Sequence, residues 1–153
     1  MSDCNVYEGY GIVLDSTVSW KDTACSDLLH MMKEKSSDLY LDVLDSYEAN
    51  EDEYSSIEEF FGDYCEYDYS GEYGAESGIE GILTAFINEQ EFDGNHVFVY
   101  EDYVLHVPAN IPENEEGLKK FPTRDMIRNI IREYIKPLLQ ENVPICWHKI
   151  RIY

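Results

Sequence analysis

Between Ser36 and Leu118 the sequence contains no lysine and no arginine. A stretch of that length without a cation argues against direct nucleic-acid binding, because phosphates are held largely by Lys and Arg. It disfavours an anionic membrane surface for the same reason. No apolar run approaches the ~18 residues that a spanning helix requires, so no transmembrane segment is expected. The opening "MSDCNVYEGY" is too polar for a secretory signal. Cysteines stand at 4, 25, 65 and 146 with no CxxC pair, which points to free thiols in a cytoplasmic protein of a host cell.

Motifs for chemistry are missing as well. There is no phosphate-cradling glycine loop, no HExxH and no GxSxG. His30, His96, His106 and His148 are scattered. Cys146 and His148 stand two apart on an expected strand and share a face, which is packing chemistry more readily than a metal site. Cys25 or Cys65 as a nucleophile would need a positioned base. The loop "EYDYSGEYGAES" from Glu66 has oxygen-bearing residues where a calcium loop wants them and Gly71 at position 6, but position 12 is Ser77 instead of glutamate. The expectation is therefore a protein that is not an enzyme and uses no metal and no cofactor.

What is present is negative charge. The formal net charge is −21, and residues 36–118 hold 23 of the 32 acidic groups. The rest of the chain holds 9 acidic against 11 basic residues, a net of +2, so the whole excess belongs to the middle. Solubility asks for a net charge of only about 2–8 in magnitude in a small domain, and crowding more opposes the compact state. Yet aromatic residues reach 14%, which separates this chain from disordered acidic tails.

Periodicity places the charge. The expected class is α+β: a small, mainly antiparallel sheet packed with several amphipathic helices, as a single domain over residues 1–153. An acidic, tyrosine-rich helical region covers about 36–95. Residues 5–14 read as a strand, with Gly9 and Gly11 marking a turn or bulge. In the next segment Ala24, Leu28, Met31 and Met32 are spaced as on a helix, capped by Asp22 or Thr23. From Ser37 to about Ala49, Leu39, Tyr40, Val43, Leu44 and Tyr47 share one arc at ~100° per residue. Asp38, Asp42 and Asp45 share the opposite arc, with Glu48 and Asp52 near it if the helix continues.

The pattern repeats after a capping box, Ser56 with Glu59. Ile57, Phe60, Phe61 and Tyr64 form the apolar stripe; Glu58, Glu59, Asp63 and Glu66 take the wet side. Tyr67, Asp68 and Tyr69 follow in a turn-rich segment. A helix over about 76–89 buries Ile79, Ile82, Leu83, Phe86 and Ile87. Val97–Tyr100 and Tyr103–Val107 read as a hairpin. Thr123 caps a helix with Met126, Ile127, Ile130, Ile131, Tyr134 and Leu138 inward, which Pro137 kinks or ends. "ICWHKIRIY" closes the chain as a strand.

Helix-borne carboxylates one turn apart are separated by about 5–6 Å, a coarse approximation to the charge line of a nucleic acid. Tyrosines set among them offer rigid contact area and suit an arginine-rich groove. Over residues 36–118 this acidic, Tyr-rich, Lys/Arg-free composition resembles that of the DNA-mimic inhibitors of phages and mobile elements, including anti-restriction and some anti-CRISPR proteins. The resemblance implies a stoichiometric inhibitor that occupies the nucleic-acid site of a basic nucleic-acid-binding protein or nuclease. The partner-binding residues expected from the pattern are Asp38, Asp42, Asp45, Glu48, Asp52, Glu58, Glu59, Asp63, Glu66, Tyr67, Asp68 and Tyr69. An immunity protein against a basic toxin would obey the same electrostatics. A third reading is assembly: Arg124, Arg128, Arg132 and Lys136 step by four along the last helix, a basic stripe able to dock on the acidic helices within one chain or across a homodimer.

Overall fold

The computed structural model describes residues 5–14, 18–65, 78–91, 103–108 and 123–152. The fold is α+β. Strand β1 (Asn5–Val13) is the middle of a three-stranded sheet, flanked by β2 (Tyr103–Pro108) and β3 (Cys146–Ile152), both antiparallel to it. Tyr10 stands opposite Val107 on one side and Trp147 on the other. The register slips between Gly11 and Ile12, where Gly11 pairs His106 and Ile12 pairs Val104, leaving Leu105 as the extra residue of a bulge. The glycine expected to mark an irregularity thus lies opposite one, on the neighbouring strand. Of the expected hairpin, Tyr103–Val107 forms β2; Val97–Tyr100 and the turn at 101–102 fall outside the described residues.

The helices are α1 (Ala24–Glu34), α2 (Asp38–Ala49), α3 (Ile57–Asp63), α4 (Gly78–Glu91) and α5 (Arg124–Ile130). α1 begins at the expected place, but the Thr23 hydroxyl donates to the Asp27 carboxylate at 2.9 Å and makes no cap to a backbone N–H. The helix stops at Ser36, whose φ of 52° is the left-handed conformation that ends many helices. Ser37 then caps α2, its hydroxyl accepting from the Leu39 N–H at 3.1 Å. One two-residue corner therefore ends α1 and starts α2.

α5 starts on Thr123, which accepts from the Met126 N–H at 3.2 Å. It runs on through one wide π turn (Ile131–Ile135) and a tight 3₁₀ turn (Lys136–Leu138) that contains Pro137, and it ends there. Ile127, Ile131, Tyr134, Ile135 and Leu138 are fully buried, whereas Met126, about 100° from Ile127 at the edge of the stripe, is exposed.

One core joins the layers. Leu28 and Met32 of α1, Val43 of α2, Phe61 of α3, and Ile82, Leu83, Phe86 and Ile87 of α4 all reach zero exposure. Ile12 and Leu14 enter it from the sheet side. Long-range ties close the structure. Trp20 bridges Leu139, and its indole N–H lies 3.3 Å from the Glu80 carboxylate. The buried Tyr134 packs edge-on against Phe86 and donates its hydroxyl to Glu91 at 2.6 Å.

Candidate protein-binding face

The acidic arcs are built by ordinary amphipathic packing. Val43 anchors α2, Phe60 and Phe61 anchor α3, and the two helices pack against α1 and each other. Their opposite sides are thereby left to water. Asp38, Asp42, Asp45 and Glu48 on α2 are exposed, as are Glu58 and Glu59 on α3; Asp63 is half-buried. Asp52 is exposed too, but it does not extend the helical row. The helix ends at Ala49, and Asp52 sits in a separate 3₁₀ turn, Glu51–Glu53. Asn50 causes the break, its side chain donating back to the Ser46 carbonyl at 2.9 Å. Glu66, Tyr67, Asp68 and Tyr69 lie outside the described residues, as does the calcium-like loop.

None of these exposed α2 and α3 carboxylates forms an ion pair with a described residue. Glu59 accepts from the Ser55 hydroxyl. That contact replaces half of the expected capping box: Ser56 does accept from the Glu59 N–H at 3.2 Å, but the Glu59 side chain turns to Ser55. Leu41, 52% exposed, sits toward one edge of the α2 arc, about 60° from Asp38. Leu41 is not among the partner-binding residues expected from the charge pattern, although the same 100° arithmetic places it between Asp45 and Glu48.

Where the α2 C-terminus meets α3, the aromatics gather. Phe60 is the hub, with Tyr54 edge-on at 5.2 Å, Tyr47 at 5.7 Å and Tyr64 at 5.8 Å between ring centroids. Beside it opens a pocket of about 440 Å³ lined by Ser46, Asn50, Glu53, Tyr54, Phe60 and Tyr64.

The basic stripe does not engage α2 or α3 among the described residues; its first two members turn to the sheet. The Arg124 guanidinium lies over both Tyr10 and Trp147, 5.4 and 5.3 Å from the ring centroids. Arg128 donates through Nε and Nη2 to the Tyr10 hydroxyl, at 3.1 and 2.9 Å. Lys136 donates to Asn142 Oδ1 and to the Val143 carbonyl. Arg132 is exposed, and with Arg128 and Lys136 it lines a cleft of about 630 Å³ beside Tyr10. The physical reason is proximity: α5 packs on the sheet, so aromatic faces and a phenol oxygen are nearer than any carboxylate of α2.

The remaining chemical candidates are placed as follows. The Cys65 thiol is buried, and its hydrogen bond with Cys25, followed by burial, holds its pKa above the usual thiol value. A thiol so held is a poor nucleophile at neutral pH. Cys146 Sγ and His148 Nε2 lie 3.7 Å apart, and the same Nε2 is 3.1 Å from the Gly11 carbonyl. Among the described residues no group of three or more His, Cys, Asp or Glu side chains is placed to hold a metal ion, and no helix is long and apolar enough to cross a membrane. Comparison with protein-family models, with characterised proteins and with solved structures finds no match to this chain.

Proposed function

We propose that this protein is a non-enzymatic acidic binder that inhibits a basic nucleic-acid-binding protein or nuclease by occupying its nucleic-acid site. One observation carries the reading. From Asp38 to Asp63 the chain holds ten carboxylates and no cation, and those on the wet arcs of α2 and α3 have no ionic partner among the described residues. Their field is therefore directed outward. Such a field speeds the encounter with a cationic groove and makes the complex salt-sensitive. Leu41 and the neighbouring tyrosines supply the apolar contact that charge alone lacks.

The test is affinity capture from host lysate with washes of rising salt, followed by competition with nucleic acid for the captured protein. The expected partner is a nucleic-acid-binding protein that salt releases and that loses its nucleic acid as this protein is added. A partner that keeps its nucleic acid in the ternary mixture overturns the mimicry. A basic toxin without nucleic acid in its site would instead favour an immunity protein.

The cleft bearing Arg128, Arg132 and Lys136 supports a second reading, assembly of copies with the α2 arc of one in the basic cleft of the next. Light scattering of an Arg128→Glu, Arg132→Glu variant tests it: a dimer that persists removes the cleft from any interface.

A further inference from the structure

The pocket beside Phe60 has an unusual lining for its surroundings. Three aromatic residues (Tyr54, Phe60 and Tyr64) line it. Glu53 contributes an exposed carboxylate, and Ser46 and Asn50 complete the wall. Among the described residues no cationic side chain lines it. Aromatic faces attract cations through the ring quadrupole, and a carboxylate adds a charge-assisted acceptor. Together they match a flat, donor-only cation that stacks and forks at once, which is a guanidinium more than a compact ammonium. The protein already uses this contact elsewhere, where Arg124 lies over Tyr10 and Trp147.

The position of the pocket also matters. Asp38, Asp42, Ser46 and Asn50 occupy successive i+4 positions of α2 and its end. Each step advances about 6 Å and turns only about 40°, so this row leads from the acidic arc to two residues of the pocket lining, Ser46 and Asn50. A basic chain drawn along Asp38 and Asp42 arrives at the aromatic wall.

We infer that the cavity lined by Ser46, Asn50, Glu53, Tyr54, Phe60 and Tyr64 is a receptor for a single arginine side chain of the protein partner. This inference rests on the reading of α2 and α3 as a face for a basic protein, and it supplies the anchor of that face. The guanidinium stacks on the tyrosine rings while its N–H groups donate to Glu53. The surrounding carboxylates steer, and the pocket holds.

The test uses Nα-acetyl-arginine amide as the probe, titrated into the whole protein while the ring resonances of Tyr54, Phe60 and Tyr64 are followed by NMR. Saturable shifts at these rings are expected, with a dissociation constant on the order of 1–10 mM for a lone side chain. Glu53→Gln weakens binding about tenfold, as loss of a charge-assisted acceptor requires. Ser46→Arg, which places the protein's own guanidinium at the wall without touching the core, abolishes the shifts while far-UV circular dichroism stays unchanged. The lysine amide binds more weakly. Absence of saturable shifts in the wild type overturns the inference, as does a folded Glu53→Gln variant that binds equally well, or a lysine probe that binds as tightly as arginine. Because no partner takes part in this titration, its failure leaves the face itself standing. Conversely, loss of the face is read from capture with Asp42 and Asp45 reversed, which leaves the pocket intact.

Discussion

Two regions of this molecule use the same ingredients, charge and aromatic rings, and arrange them oppositely. Around α5, Arg124 and Arg128 are laid on Tyr10 and Trp147, and Lys136 is tied to Asn142 and Val143. Around α2 and α3, carboxylates stand in water around a ring cluster centred on Phe60, with no cation among its described lining residues. The first arrangement is largely satisfied from within the chain. The second draws on no internal cation among the described residues. Net charge alone does not separate the two regions; what separates them is whether the chain supplies its own counter-charges at that place.

That comparison is broken most severely by removing its scaffold. Phe61 has zero exposure beneath the acidic arcs. Phe61→Ala is expected to cost about 3–5 kcal/mol in urea unfolding; a cost under about 1 kcal/mol would mean that α3 is not seated as described.

Charge reversal acts next, and on binding instead of stability. Asp42→Lys with Asp45→Lys is expected to weaken partner capture at low salt by roughly a hundredfold. The melting temperature should not fall, since two repulsive charges are exchanged for attractive ones. Reversal of Arg132, exposed in the basic cleft, should leave capture unchanged. Equal losses from both sites would erase the distinction between the two regions.

Alkaline pH gives a smaller effect that belongs to the core joining them. Burial, then the hydrogen bond with Glu91, pushes Tyr134 up to about 12. Its pKa is raised on folding, so the stability it contributes is complete below the ordinary tyrosine value of about 10 and is lost as pH rises to about 12. Tyr134→Phe should remove about 1 kcal/mol near neutrality and flatten the decline between those pH values. Parallel declines in the two proteins would exclude Tyr134 as the cause.

The smallest expected effect lies at the corner between α1 and α2. Ser36 holds a left-handed φ of 52°, which glycine adopts without steric cost. Ser36→Gly should raise stability by about 0.5 kcal/mol or more, offset in part by the freer unfolded chain. A loss of stability would show that the Ser36 side chain matters to the turn.

Much of this was legible beforehand, for a local reason. A helix exposes residues by angle alone, so Val43 inward and Asp38, Asp42 and Asp45 outward follow from spacing, as do the caps at Ser56 and Thr123. Spacing failed where a side chain had two local choices. Thr23 took Asp27 instead of the backbone, and Glu59 took Ser55. The same failure hid the pocket. Glu53, Tyr54 and Phe60 carry no pattern that separates a ring in the wall of a cavity from a ring in the core.

By itself the sequence determined the α+β class, the amphipathic helices and the concentration of negative charge on their wet sides. These depend on composition and on neighbours within about a turn, where the chain has few alternatives. Only the tertiary structure decided which charges are answered and which are not. Arg128 meets Tyr10 across 118 positions, Lys35 meets Glu133 across 98, and the acids of α2 meet no described cation. Those meetings depend on how distant segments pack, and hydrophobic burial, which drives the packing, is indifferent to the charges it brings together or keeps apart.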